Sequence, residues 1–205
     1  MSAYLRPKVP GACVFFTVNL VDRGEDTLVR HVEVLRQAVA VTKGKRPFRI
    51  DAWVVLPDHM HCVWTLPEGD ADYSGRWREI KGQFSTALRR SGRAPTPTGE
   101  NPYGARGGRE RVGGRPDGGV GARPDLRKDE APIWQKRFWE HHIRDDRDYE
   151  VHVRYCWMNP VKHGLVGHPR EWPFSSWHRD AGGAVWQGGV WPAIGSRGTP
   201  RPTVR

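Results

Sequence analysis

The sequence AWVVLPDHMHCVWTL, residues 52–66, decides the fold and also contains the first candidate functional residues. Val, Trp and Leu dominate on either side of Pro57, which predicts two strands joined by a turn at that point. Because side chains alternate along a strand, His59 and His61 point to one face and Met60 to the other. Imidazoles are common ligands of divalent metal ions, so the pair is a candidate metal site. The alternative is two unrelated histidines in a partly buried sheet.

The rest of the chain supplies the strands and helices of a mixed fold. The predicted elements are a strand at 14–20, a helix at 28–42, strands at 48–56 and 60–66, a helix at 73–90, a strand within 133–143 and a helix at about 145–159. We expect Pro160 to end the last helix, because proline disfavours helical backbone in the residue before it. This order favours an α+β fold, a ferredoxin-like sandwich with an antiparallel sheet and an added C-terminal helix.

Two segments lie outside the predicted domain core. Residues 91–131 are dense in Gly, Pro and Arg and contain almost no large apolar side chain. Such a segment cannot bury enough apolar surface to offset the entropy of ordering it, so we expect a disordered insertion. Residues 181–205 are rich in Gly and Pro, and we expect a flexible tail. The prediction is therefore one domain, residues 1–180, interrupted at 91–131.

The charge balance points to a polyanionic partner. The 205 residues contain 33 Lys and Arg against 23 Asp and Glu, a net charge of +10, and 10 Trp residues whose rings could stack on bases. The alternative is a basic protein with no nucleic-acid partner. The cysteines show no C-x-x-C spacing, which argues against a zinc knuckle or a disulfide framework. No apolar run approaches a membrane span and no signal peptide is visible, so we expect a cytoplasmic protein.

A second group of candidate residues lies on the last predicted helix. Tyr155 and Asn159 are four residues apart and therefore share one face of the helix, with His152 on the same stripe. A tyrosine hydroxyl beside a metal-bound phosphate can act as a nucleophile. The amide oxygen of Asn159 suits a hard ion such as Mg²⁺ or Mn²⁺. For Tyr155 the alternative is an ordinary core or surface tyrosine.

Several segments together carry a family resemblance. The histidine pair followed far downstream by YCWMN at 155–159 resembles the HUH nucleases, which combine a His-hydrophobic-His motif with a single tyrosine. More narrowly, the chain resembles the REP-associated tyrosine transposases, bacterial relatives of the small insertion-sequence transposases that move single-stranded DNA. The segments that carry this likeness are FTVNL at 16–20, WVVLPDHMH at 53–61, RWREIK at 76–81, RFWEH at 137–141 and NPVKHG at 159–164. The resemblance covers residues 4–90 and 132–180.

The resemblance implies a metal-dependent endonuclease and strand transferase specific for single-stranded DNA. Its substrates would be imperfect hairpins of repetitive extragenic palindromes, and its fold the HUH type with an added tyrosine helix. It implies that His59, His61 and Asn159 hold Mg²⁺ or Mn²⁺. Tyr155 would attack the DNA, leaving a 5′-phosphotyrosine link and a free 3′-hydroxyl. The matching basic residues, which we expect to bind DNA, are Arg6, Arg76, Arg78, Lys81, Arg137 and Lys162.

Two other functions compete with this hypothesis. The first is a domesticated regulator that binds DNA hairpins without cutting them, although such a protein has no need of His59, His61, Tyr155 and Asn159 together. The second is a metal hydrolase that uses water as its nucleophile, with Tyr155 a bystander. Detection of a covalent protein–DNA adduct separates the transferase from both. A monomer and a homodimer both fit the sequence.

Overall fold

The computed structural model describes residues 7–91 and 132–180, and these build a four-stranded antiparallel sheet with helices on both faces. The elements are β1 (Cys13–Asn19), α1 (Thr27–Arg30), α2 (Val32–Lys45), β2 (Arg49–Val55), β3 (His59–Thr65), α3 (Tyr73–Ser91), β4 (Trp139–His142), α4 (Asp146–Lys162), a 3₁₀ turn (Pro169–Glu171) and α5 (Trp177–Asp180). The strand order β2-β3-β1-β4 puts the histidine-bearing strand β3 in the interior of the sheet. Among the described residues, no helix is long and apolar enough to cross a membrane.

The two faces of the sheet carry separate cores. On one face, Phe16, Met60 and Trp64 pack against α2 and α3, whose apolar residues recur at helical spacing. On the other face, Phe15 and Val63 pack against α4, α5 and Trp172, which follows the 3₁₀ turn. Strand alternation therefore separates the residues of β3: Met60 belongs to the first core, and the histidines face the side of α4.

The predicted α+β class is confirmed, and so is the four-stranded antiparallel sheet. The predicted helix at 28–42 is interrupted at His31, which ends α1 and precedes α2. The last strand is shorter than expected, because Trp134 forms only an isolated bridge to Leu20 and regular pairing begins at Trp139. The insertion at 91–131, apart from Ser91 in α3, and the tail at 181–205 lie outside the described residues.

The expectation that Pro160 ends the last helix is wrong. Helix α4 continues to Lys162 with Pro160 buried inside it. A proline costs an interior helix one hydrogen bond and a steric clash. Here the buried residues Cys156 and Trp157 anchor the turn before Pro160 in the second core. Beyond Pro160, the amide of His163 still donates to the carbonyl of Asn159 over 3.0 Å. Tertiary packing therefore overrides the local preference, and the helical stripe runs one turn further than predicted.

Candidate active site

Strand β3 holds the two histidines side by side on the α4 face of the sheet. In the antiparallel register His59 lies opposite Asn19 and His61 lies opposite Thr17. Both imidazoles are buried, and their ring centroids are 5.1 Å apart at an interplanar angle of 84°. A pair fixed on one interior strand has little freedom to separate, which is what a two-histidine ligand set needs.

Each imidazole is held through its Nδ1 atom. Nδ1 of His59 contacts Oδ1 of Asp58 at 2.5 Å, and Nδ1 of His61 contacts Oγ1 of Thr17 at 2.9 Å. When each Nδ1 carries the hydrogen and donates it, the lone pair of each imidazole resides on Nε2. Metal-binding histidines are commonly oriented in this way by a carboxylate or another polar group. The two Nε2 atoms are thus the ligand positions that this pair offers.

The electrostatic surroundings keep His61 neutral. Burial lowers the pKa of His61 to about 3, and the neighbouring His59, His163 and Lys162 lower it in the same direction. A neutral imidazole is the form that binds a metal ion, so His61 needs to lose no proton at neutral pH.

The carboxylate beside His59 stays ionised. Burial raises the pKa of Asp58, but the interactions with His59, the Gly24 amide and the charge of Arg23 together outweigh this effect. The net result is a pKa well below the usual range for aspartate. Arg23 Nε lies 2.7 Å from Oδ2 of Asp58, which leaves Oδ1 for His59. A permanently charged Asp58 can fix the tautomer of His59 throughout the physiological pH range.

Helix α4 brings Tyr155 against the histidine pair. The ring centroids of Tyr155 and His61 are 5.0 Å apart, and Lys162 Nζ lies 5.2 Å from the Tyr155 ring centroid. Tyr155 is 37% exposed, so an outside strand can reach it. Tyr149, the other tyrosine of α4, instead donates to Oδ1 of Asp51 over 3.4 Å on strand β2. Burial raises the pKa of Tyr149, which makes it a poor nucleophile.

Asn159 lies between two residues that contact the histidine pair. Tyr155, one turn earlier on α4, contacts His61, and His163, one turn later, contacts His59 with ring centroids 5.1 Å apart. Residues spaced by four share a helix face, so Asn159 lies on the stripe that faces both histidines. Its side chain is 1% exposed, and neither its oxygen nor its nitrogen has a hydrogen-bond partner among the described residues.

This unsatisfied amide supports a metal site formed by His59, His61 and Asn159. Buried polar groups almost always have a partner, and an exception calls for a missing water or ion. The donor set of two imidazole nitrogens and one amide oxygen fits a divalent ion with open positions for substrate oxygens. These three residues therefore fit the divalent metal ion that the sequence analysis predicts.

Three contributors to this site are missed by sequence reasoning. Asp58 precedes the histidine pair directly, so its role could have been suspected from adjacency. Thr17 reaches His61 only through strand register, which no local pattern reveals. His163 follows Asn159 by four residues, a helical spacing that the predicted helix end at Pro160 concealed.

A second group of possible ligands lies beside the first. His141, Asp148 and His152 place one ligand atom each within 4.8 Å of one another, a group that could hold a metal ion. Oδ2 of Asp148 already contacts Nε2 of His141 at 2.8 Å and Nε of Arg144 at 3.2 Å. Burial raises the pKa of the Asp148 carboxyl, but its hydrogen bonds from His141 and Arg144 together lower that pKa to about 2. As the structure stands, the group is a closed hydrogen-bond network.

The predicted DNA-binding residues fall into different environments. Arg76 is 1% exposed and its guanidinium donates to Asp70 and to the carbonyls of Arg46, Pro47 and Asp72. The assignment of Arg76 as a DNA contact is therefore corrected: it ties α3 to the loop before β2. Lys81 donates to the carbonyl of Gln135 over 3.1 Å.

The remaining basic candidates differ in their position relative to the histidine pair. Arg78 and Arg137 are exposed, and Lys162 lies beside Tyr155. Arg78 belongs to α3, on the opposite face of the sheet from the histidine pair. Lys162 is thus a basic candidate in contact with Tyr155. Arg6 lies outside the described residues.

An antiparallel sheet that presents a histidine pair to a helix-borne tyrosine is the arrangement expected of a single-tyrosine nuclease. A scan against protein-family models gives no match. The chain is 44% identical over 180 residues to the REP-associated tyrosine transposase of Escherichia coli K12, covering 88% of this chain and 85% of that protein. It is 37% identical over 180 residues to a putative REP-associated tyrosine transposase of Haemophilus influenzae, covering 88% of each.

A solved structure agrees with these relatives. A REP-associated tyrosine transposase bound to a REP hairpin superimposes with a TM-score of 0.68 at 41% identity, covering 98% of this chain and all of the other. The chain belongs to the REP-associated tyrosine transposases.

Proposed function

We propose that the protein is a metal-dependent endonuclease and strand transferase that cuts single-stranded DNA next to a hairpin through a 5′-phosphotyrosine intermediate. The observation that carries the proposal is the contact of Tyr155 with His61, together with the buried amide of Asn159 one turn further on, which has no hydrogen-bond partner in the described part of the chain. In this proposal Tyr155 is the nucleophile, and His59, His61 and Asn159 supply three ligand atoms for a divalent ion. The relatives named transposases support the same chemistry.

The reaction exchanges one phosphate ester for another. The hydroxyl oxygen of Tyr155 forms a bond to the scissile phosphorus while the bond from phosphorus to the 3′ oxygen breaks. The tyrosine loses a proton and the departing 3′ oxygen gains one, so no water is consumed. The phosphate ester of Tyr155 retains the energy of the original linkage, and a second 3′-hydroxyl can reverse the step without a nucleotide cofactor.

The protein side chains have separate tasks in this reaction. His59, His61 and Asn159 would hold the divalent ion, which when bound neutralises charge that develops on the phosphate oxygens. Asp58 and Thr17 orient the two imidazoles through Nδ1. We assign Lys162, whose ammonium group lies over the ring of Tyr155, to binding phosphate beside the attacking hydroxyl.

Hairpin DNA with an unpaired flank is the proposed partner. The net charge of +10 favours a polyanion, and the solved relative is bound to a REP hairpin. Tyr155 is partly exposed, so its hydroxyl can contact a DNA strand that approaches from solvent. A base-paired strand is screened by its complement, so an unpaired segment is the better fit.

The test is the formation of a covalent adduct. The full-length protein is incubated with end-labelled hairpins from its own genome's repeats, each with a single-stranded flank, in Mg²⁺ or Mn²⁺. We expect a protein–DNA band that survives denaturation. This band should not form when a chelator is present during the incubation, and it should not form with Tyr155→Phe. Tight hairpin binding without any adduct would instead identify a regulator without catalysis. Cleavage without an adduct would identify a hydrolase that uses water.

A further inference from the structure

An exposed tryptophan stands in the same cross-strand row as His61. Strand β1 pairs with β3 on one side and β4 on the other, and Thr17 lies opposite both His61 and Trp139. Side chains opposite one another share a face, so Trp139 lies on the face of the candidate active site. Two strand spacings separate it from His61, roughly 10 Å between Cα atoms. β4 is an edge strand, and Trp139 is 55% exposed.

The ring of Trp139 is supported from one side. It stacks on the ring of His141 at an interplanar angle of 7° with centroids 6.0 Å apart. The edge of the Phe15 ring contacts it at a centroid distance of 5.7 Å. His141 in turn stacks on His152 at 4.6 Å and bonds to Asp148 at 2.8 Å. These contacts orient the indole while more than half of it stays in solvent.

An apolar ring held in this way is suited to an aromatic ligand. The indole is the largest of the exposed hydrophobic side chains among the residues that the structure describes, and every nucleobase has a π-face that can stack on it. Lys136 and Arg137, both exposed, precede it in the chain, and their charge favours a polyanion. An unpaired nucleotide combines the two properties, a flat base and a phosphate.

We propose that Trp139 is the stacking platform for an unpaired DNA base next to the phosphate that Tyr155 attacks. This inference rests on the proposed function, since it assumes that a single strand crosses the site face. The stack beneath Trp139, made of His141 and His152, gives the platform its orientation. The base stacked on Trp139 would turn the adjoining phosphate toward Tyr155 and Lys162. The same contact would favour substrates whose flank is single-stranded.

The test combines protein variants with abasic DNA. Binding of fluorescent hairpins with a single-stranded flank is measured in the Tyr155→Phe background, where no cleavage disturbs the equilibrium. Each flank base is replaced in turn by an abasic site. We expect Trp139→Ala to weaken binding about 5- to 150-fold, and Trp139→Phe to retain most of the affinity. One abasic position should weaken binding to the Trp139 protein but have no effect on Trp139→Ala.

Controls separate this inference from the proposed function. Val151, 56% exposed on α4, is the matched control, and Val151→Ala should bind every probe like the parent protein. Thermal melting verifies that Trp139→Ala is folded, and Trp139→Phe gives a second variant with minimal loss of packing. If the loss of affinity caused by Trp139→Ala adds to the loss caused by each abasic site, Trp139 does not stack on any flank base and the proposal is refuted. This holds whether or not the active protein forms an adduct. If no adduct forms, the proposed transferase fails, while non-additive binding still establishes the platform.

Discussion

The rings of Tyr155 and His61 form a T-shaped pair, with centroids 5.0 Å apart and an interplanar angle of 78°. This contact joins the two halves of the candidate site, which are 94 positions apart in the chain (155 − 61). Tyr149 has no such relationship, because its hydroxyl bonds to Asp51 near the opposite end of the sheet. The structure therefore distinguishes two tyrosines of one helix by what each contacts.

The first prediction concerns the attacking oxygen. Tyr155→Phe removes only the hydroxyl, so the adduct with end-labelled hairpin DNA should be lost while hairpin binding is retained. Tyr149→Phe is the control and should form the adduct normally. Its loss of the hydrogen bond to Asp51 should cost about 1 kcal/mol of unfolding free energy. Denaturing gels and melting curves measure both effects, and an adduct formed by Tyr155→Phe would refute the assignment.

The second prediction concerns the orientation of His61. Thr17→Val removes the oxygen that contacts Nδ1 of His61 and should weaken Mn²⁺ binding about 10- to 100-fold. Thr17→Ser retains the oxygen and should bind Mn²⁺ within a few-fold of the parent protein. Isothermal titration calorimetry on both variants measures the difference. Equal affinities for Val and Ser at this position would show that Thr17 does not orient the ligand.

The order of strands and helices could be predicted because apolar spacing differs between them. The histidine pair and Tyr155 could also be identified from the sequence as candidate site residues, since each lies in a short motif. Arg76 was not recognised as structural, because it lies among Arg78 and Lys81 in a basic segment. Its position four residues before Ile80 places it on the buried stripe of α3, a signal that charge alone obscures.

Other features of the site depend on tertiary structure. Thr17 meets His61 because β1 and β3 pair in one register, which is set by packing of both faces. His163 joins the site because α4 passes through Pro160, where packing overrides the local rule. The wrong helix end and the missed histidine thus have a single cause.

The third prediction tests the structural role of Arg76. Arg76→Met removes a buried guanidinium and leaves backbone carbonyls without donors, so unfolding free energy should fall by about 3 kcal/mol. Arg78→Met, at an exposed position of the same helix, should change it by less than about 0.5 kcal/mol. Urea unfolding measures both. Unchanged stability together with weaker hairpin binding in Arg76→Met would restore it as a DNA contact.

The fourth prediction follows the partner of Arg76 through pH. The hydrogen bond from Arg76 lowers the pKa of Asp70 to about 2. Because the folded pKa lies below the unfolded value, the stabilisation is fully present above about pH 4 and is lost as pH falls toward 2. The difference in unfolding free energy between the parent protein and Asp70→Asn should therefore shrink across that interval. In the Arg76→Met background the same comparison should depend much less on pH, because only the smaller contributions of the Asp72 amide and the Arg46 charge remain. A pH dependence as large as in the parent protein would refute the pairing.

The last prediction uses the buried amide of Asn159 as a probe of the metal site. Neither of its polar atoms has a hydrogen-bond partner within residues 7–91 and 132–180, so without metal Asn159→Leu should leave unfolding free energy unchanged or raise it. With Mn²⁺ at about 100 times its dissociation constant, the parent protein should gain about 2.7 kcal/mol.

Asn159→Leu should gain much less from the same Mn²⁺, whereas Asn159→Asp, which retains a ligand oxygen at the same position, should respond strongly. Melting curves recorded with chelator and with Mn²⁺ for the three proteins measure this pattern. An Asn159→Leu protein that is strongly destabilised with chelator would show that the amide has a structural partner. An Asn159→Leu protein stabilised by Mn²⁺ as much as the parent would remove Asn159 from the ligand set and leave the two histidines as the ligands on which the site depends.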